Sequence, residues 1–349
     1  MIPLLTERIG RSISRKGEFV FKKTLIAICL LVCLPIVATA QSQETAPRTS
    51  WGAPDLQGVY DFGTATPFQR PLELEGRAEF TAEEAAVQVE RNAERWQDDV
   101  NTENLTPPNY NNFWFDYGSD VLSTRQSSLI VDPPDGRLPP FTQQQEERVE
   151  AERAAGGRPV RTHPTGIGVD GPEDRGLAER CLLGFNSGPP LMPSAYNNYM
   201  QVFQTPDHVV ILAEMVHEAR IIPLDGRDPL SERIPQWLGD SRGWWEGDTL
   251  IIQTRNFVPE RGFSVGRPAV VPSPKMLLTE RLTRADAGTL LYEYTYDDPE
   301  VFTQPFSASI PLRRTDSALF EYSCHEGNYG LYNTLVGSRR EEQLAAEAA

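Results

Sequence analysis

The sequence predicts a mainly β protein, an antiparallel meander closed into a barrel or folded into a sandwich, lipocalin-like in shape, with two helices and long loops ahead of it. Three observations carry this. From residue 199 onward, extended runs recur in pairs with a turn signal inside each pair: Pro206-Asp207, Gly247-Asp248, Asp286-Ala287-Gly288 and Thr315-Asp316-Ser317. Within the runs, apolar residues alternate or run on continuously, which is strand periodicity and not the helical one. The stretch 237–257, WLGDSRGWWEGDTLIIQTRNF, joins a polar loop, an aromatic pair, a Gly-Asp turn and a β-branched strand. Hairpins in succession make a meander. About nine strands are enough to close a barrel, which removes exposed sheet edges.

Taken in order, the chain begins with a leader. Lys16, Lys22 and Lys23 precede an apolar run over 25–37 that ends in Ala38-Thr39-Ala40, the pattern of a secretory signal peptide cut after Ala40. That run is well short of the roughly 20 residues a membrane span needs. Residues 41–50 are polar and expected to be disordered. Residues 51–340 are expected to form one β-rich domain, and 341–349 a C-terminal tail. The leader takes six of the 33 basic and two of the 49 acidic residues, so the mature chain is more acidic than the full sequence with its net −16. Nucleic acid is thereby excluded as a partner, because phosphate binding needs a basic face. Lys275 is the one lysine left after the leader, which confines Schiff-base chemistry to that position. Cys181 and Cys324 are the remaining cysteines, and in an oxidising compartment such a pair forms a disulfide.

A short strand is expected around Gly58-Val59-Tyr60. Thr81 with Glu84 is a capping box that starts a helix over 82–97, laid down by a narrow stripe of Ala86, Val89, Ala93 and Trp96. Residues 101–117 carry five aromatics among Pro and Asn and read as a long loop packed on the core or a pocket mouth. Residues 128–131 form a short strand stopped by Pro133-Pro134-Asp135-Gly136. Thr142 with Gln145 starts a second, polar helix to about residue 155. The Gly- and Pro-rich 156–193 is a loop; Gly166 and Gly168 follow no strand, which argues against a phosphate loop, and no cofactor motif is present. The meander then occupies about 199–326, with residues 318–324 expected as the partner strand of 307–313.

Several segments, WGAPDLQGVYDFGTATPFQRP, SSLIVDPPDGRLPP, QTPDHVVILAEMVHEARIIPLDGR, WLGDSRGWWEGDTLIIQTRNF and EYSCHEGNYGL, together resemble a large family of exported bacterial proteins to which no activity is attached. The resemblance spans most of the chain after the leader. It implies export and brings no reaction. Tyr60 and Trp244 stand where the family pattern carries Trp and Arg, which would alter any pocket those positions touch.

Period-two alternation sorts candidate residues by face. Over 209–221, His217 falls with Val209, Ile211, Ala213 and Met215, on an otherwise apolar face, and Glu214 falls on the other. Glu280 shares a face with Met276, Leu278 and Leu282. A His and a carboxylate in one apolar cavity make a usable acid/base pair, so His217 with Glu280 or Glu214 is the candidate catalytic set; a hydrogen-bonded core is the alternative. Tyr292 and Tyr294 share a face with Leu290 and Tyr296, lining either a core or a ligand cavity. Asp240 and Arg242 beside Trp244 and Trp245 could hold a carboxylate or sugar hydroxyl against a ring, or could merely brace a strand. Arg175 and Arg180 in EDRGLAERC are a similar case, Arg180 reading as structural beside Cys181. Four histidines without paired spacing argue against a metal site. The functional expectation is a small-molecule-binding protein with a pocket for a partly apolar or ring-bearing ligand, with a lyase, isomerase or hydrolase, or an interaction module, as alternatives.

Overall fold

The computed structural model describes residues 47–97, 118–154, 171–194, 196–258 and 270–348. The leader, the aromatic loop 101–117 and Gly166 and Gly168 fall outside those residues. Among the described residues there are ten strands: β1 Gly58–Asp61, β2 Ile130–Asp132, β3 Tyr199–Gln204, β4 His208–Ala213, β5 Ala219–Pro223, β6 Asp240–Glu246, β7 Thr249–Arg255, β8 Leu277–Arg284, β9 Thr289–Asp297 and β10 Phe306–Thr315. Three helices accompany them, α1 Ala82–Gln97, α2 Gln143–Ala154 and α3 Tyr329–Ala348.

All ten strands belong to one antiparallel sheet. Its order is β5-β4-β3-β1-β10-β9-β8-β7-β6, and β2 pairs with β10 off that path. Two meanders, β3 to β5 and β6 to β10, are therefore joined by β1, which sits between β3 and β10 with Tyr60 opposite both Met200 and Arg314. The expectation of a closed barrel is not met, because no ladder joins β5 to β6. The sheet nevertheless bends on itself: a Cβ on Gly243 of β6 would lie 2.9 Å from Ile222 Cγ2 of β5, so backbone meets side chain where a ladder would have to run. β5 is also short and ends at Pro223, which has no N–H to donate.

Alternation along the strands fills the concave side. Leu278 and Leu282 of β8, Leu290, Tyr292, Tyr294 and Tyr296 of β9, and Phe306, Ala308, Ile310 and Leu312 of β10 are all buried. Tyr296 stacks on Phe306 at 5.3 Å, and Phe302 meets both rings edge-on at 5.8 and 5.5 Å. Such pairs add about 0.5 to 1.5 kcal/mol each beyond the area they bury. These residues belong to one buried hydrophobic core.

The helices begin as their capping residues dictate. Thr81 Oγ1 accepts from Glu84 N at 3.1 Å and Glu84 Oε2 accepts from Thr81 N at 2.9 Å, a reciprocal capping box. Thr142 Oγ1 accepts from Gln145 N at 3.2 Å, while its own N–H goes to Val301 O, so the second box is one-sided. The face α1 turns to the protein carries Ala85, Gln88 and Val89, with Gln88 Nε2 donating to Ala65 O; Ala86 and Ala93 of the expected stripe are exposed. Both ends of the described chain are ordered. Residues 47–50 are not loose, since Thr49 N bonds Ala53 O and Asp55 N bonds Pro47 O. Residues 341–348 continue α3, which has no buried residues, in keeping with their run of Glu, Gln, Leu and Ala.

Candidate functional site

The fourth expected hairpin does not form, and the chain that would have made it borders a cavity instead. The edge of β10 that residues 318–324 would have occupied is taken by β1, through Val59 opposite Thr315 and Asp61 opposite Arg313. Denied a ladder, residues 317–324 run outside the sheet as a strap. Phe320 N donates to Glu214 Oε1 at 3.0 Å, and His217 Nδ1 donates to Tyr322 O at 3.0 Å. Cys324 meets Cys181 at disulfide distance, with Sγ atoms 2.08 Å and Cα atoms 5.6 Å apart. Asn328 Nδ2 then donates to Glu179 O, which fastens the start of α3 to the loop 171–188.

Strap, loop and the β4–β5 turn border a half-open cavity of about 1040 Å³. Its aromatic wall includes Phe185, Tyr196, Tyr199 and Tyr322, with Met215 and Val216 beneath. Tyr196, Met215 and Val216 form a small buried cluster of their own, on which Phe185, Tyr322 and Cys324 pack. Phe185 and Tyr196 meet edge-on at 5.2 Å. The wall can approach so closely because Gly184 lies against Met215: a Cβ there would be 1.9 Å from Met215 Cγ. Ser187 Oγ ties the same loop to Met215 O at 3.0 Å, and buried Asn186 donates to the carbonyls of Tyr196 and Asn197. Among the described residues six that are not glycine have positive φ, and four of them, Cys181, Asn197, Val216 and His217, line or adjoin this cavity. Val216 at φ 59° is β-branched, so its backbone is held against its preference.

That turn also reorders the expected faces. β4 ends at Ala213, the turn Met215–His217 reverses the chain, and β5 pairs back with Leu212 opposite Ala219 and Ile211 opposite Arg220. Inward alternation therefore resumes at Arg220 and Ile222, and His217 is exposed on the turn instead of lying on an apolar strand face. Glu280 does point inward, with none of its surface exposed. It is held by Arg220 through Nη1 to Oε2 at 2.5 Å and Nη2 to Oε1 at 2.9 Å, and Tyr292 OH donates to Oε1 at 2.8 Å. His217 and Glu280 are not brought together. Glu214 is buried and lines the cavity with one oxygen occupied by Phe320 N. Tyr292 and Tyr294 belong to the core, Tyr292 OH also accepting from Leu191 N at 3.0 Å. Burial, reinforced by the Glu280 charge, raises both phenol pKa values well above the usual one.

Asp240 and Arg242, expected in a loop, lie instead on β6, paired with Arg255 and Gln253 of β7. Asp240 accepts from Arg242 Nη1 at 2.6 Å and from Leu230 N at 2.7 Å, while Arg242 also donates to Asp228 O. The pair braces the 228–230 connection. Trp244 and Trp245 point to opposite faces, Trp244 exposed with Nε1 on Glu246, Trp245 against the core. Among the described residues no group of three His, Cys, Asp or Glu is placed to hold a metal ion, and no helix is long and apolar enough to cross a membrane.

What sequence reasoning passed over is the cavity itself. Its signal was present in EYSCHEGNYGL, most of which forms cavity wall, but hairpin logic assigned the first part of that segment to the sheet. A comparison with protein-family models and with curated proteins finds no match for this chain.

Proposed function

We propose that this is an exported protein that binds a small, partly apolar, ring-bearing molecule in the cavity beneath the strap. The observation that carries the reading is the cavity's size together with its wall: about 1040 Å³, at the upper end of small-molecule sites, lined by Phe185, Tyr196, Tyr199 and Tyr322. A core that fills the sheet's concave side supports placing the ligand here and not among Tyr292 and Tyr294. Strained backbone gathered around one cavity is the pattern of a binding site. Export is supported by the leader pattern, the cysteine pair at disulfide distance and the resemblance to an exported bacterial family. An acid/base reaction by His217 with Glu280 has no geometric support, because one is on the surface and the other is sealed in the core by Arg220.

The test is a fluorescence titration with the neutral probe N-phenyl-1-naphthylamine. Saturable binding is expected in the unmodified protein. Ala178→Trp, which adds bulk to the cavity wall, should weaken it by roughly tenfold, about 1.4 kcal/mol, with the unfolding transition unchanged. No saturable binding, or binding that ignores the Trp, overturns the reading.

A further inference from the structure

Three arginines are buried among the described residues, Arg70, Arg175 and Arg220. Two are held by hydrogen bonds. Arg220 places both terminal nitrogens on Glu280, and Arg70 donates to Ser127 Oγ at 2.9 Å and to Pro134 O at 2.8 Å. Arg175 differs. It is 4% exposed and lines the cavity, yet Nη1 and Nη2 have no hydrogen-bond partner among the described residues. Glu179 Oε2 lies 3.2 Å from its Nε without hydrogen-bond geometry, and that oxygen already accepts from Gly176 N. The turn Pro172–Asp174 fixes the residue, Arg175 N donating to Pro172 O at 3.1 Å.

A guanidinium stays charged at any accessible pH and carries five donors in a planar fork. Burying it with two amino groups unmet is unfavourable to folding, and a protein that satisfies its other buried arginines leaves this one without hydrogen bonds just behind a cavity wall. We infer that Arg175 is the anion-recognition residue of the cavity, and that the ligand class is a ring-bearing monocarboxylate. The fork nitrogens have almost no accessible surface in the free protein, so binding would turn the guanidinium toward the cavity, where the ligand's two oxygens would meet it side by side while its ring lies among Phe185, Tyr196 and Tyr322. A single negative charge is dictated by the rest of the wall: Glu179, Glu214, Glu321 and Glu326 also line it and would repel a polyanion. This rests on the proposed ligand cavity and adds the chemistry of its occupant.

Isothermal titration of the whole oxidised chain with 2-naphthoate and with 2-naphthamide, its neutral isostere, separates the two proposals. In the unmodified protein naphthoate should bind at least about tenfold more tightly than the amide. Arg175→Gln should bring naphthoate to the amide's affinity and leave the amide unchanged. Should that variant lack the native near-UV circular dichroism spectrum, Arg175→Lys replaces it, and the preference should fall several-fold because the fork is lost. Equal binding of both compounds by the unmodified protein overturns the carboxylate inference and leaves the cavity reading standing. A preference that survives the substitution overturns it also, since the carboxylate would then be read elsewhere. Binding of neither compound removes both.

Discussion

At the scale of single residues, Glu280 shows how an inward carboxylate can be structural. Its two oxygens receive Arg220 in a bidentate pair and Tyr292 besides, with solvent excluded. Burial, the largest single influence, would lower the Arg220 pKa; the attraction and hydrogen bonds of Glu280, together with the Tyr292 phenol, offset it and leave the group above its usual value. Removing one partner strands a buried charge, so Glu280→Gln and Arg220→Met should each cost about 3 to 5 kcal/mol in urea unfolding. The double variant Arg220→Met with Glu280→Leu should cost clearly less than the two single losses added, because it removes the charge and the need for it together. If Glu280→Gln cost under about 1 kcal/mol, the pair would not be a structural keystone. The sequence made Glu280 visible as inward by its place in Met276-x-Leu278-x-Glu280-x-Leu282. Arg220 was hidden, because Met215–His217 reverses the chain and shifts the parity that alternation alone would continue. The same shift took His217 from the interior to the surface.

Among the elements, the strap shows where local pattern stops being informative. Residues 318–324, ALFEYSC, have strand composition and come after a turn signal, and nothing local distinguishes them from the three second strands that do pair. What decides is a competitor some 250 residues earlier in the chain, β1, and single-sequence periodicity does not see such non-local pairing. The cysteine pair, by contrast, was legible from the count of cysteines and the compartment expected from the leader pattern. With no ladder of its own, the strap depends on its few side-chain anchors and on Cys181–Cys324. The Cys181→Ser, Cys324→Ser double variant should therefore expose residues 317–328 to proteolysis before the sheet is cut. It should also weaken N-phenyl-1-naphthylamine binding by roughly tenfold, about 1.4 kcal/mol. Unchanged probe affinity in that variant would mean the cavity stands without the crosslink.

For the whole molecule, the decisive fact is that one sheet closes its inner space with tyrosines and not with aliphatic residues alone. That choice was half legible: the alternation of Leu290, Tyr292, Tyr294 and Tyr296 fixed a shared face, but whether it lined a cavity depended on Phe302 and Phe306 filling the space, which only the assembled fold decides. Barrel closure was illegible for the same reason, since it depends on how the backbone of Gly243 meets Ile222. The tyrosine core makes stability depend on alkaline pH. Tyr292 and Tyr294 have folded-state pKa values raised above the usual value of 10.0, first by burial and then by the Glu280 charge. Below about pH 10 both states keep the phenol protons and stability is unaffected. Above it the unfolded chain releases protons that the folded protein holds, so stability should fall by about 1.4 kcal/mol per pH unit for each such tyrosine. Tyr294 isolates the effect, because its hydroxyl has no hydrogen-bond partner among the described residues while Tyr292 is bonded at both ends. Tyr294→Phe should be close to neutral in urea unfolding at pH 7, since it removes a buried polar group without orphaning another. Between pH 10 and 11.5 the same variant should lose stability less steeply than the unmodified protein, by about 1.4 kcal/mol per pH unit. Parallel pH profiles for the two proteins would show that the Tyr294 phenol ionises as readily in the fold as outside it, and a sealed tyrosine core would then be wrong at its centre.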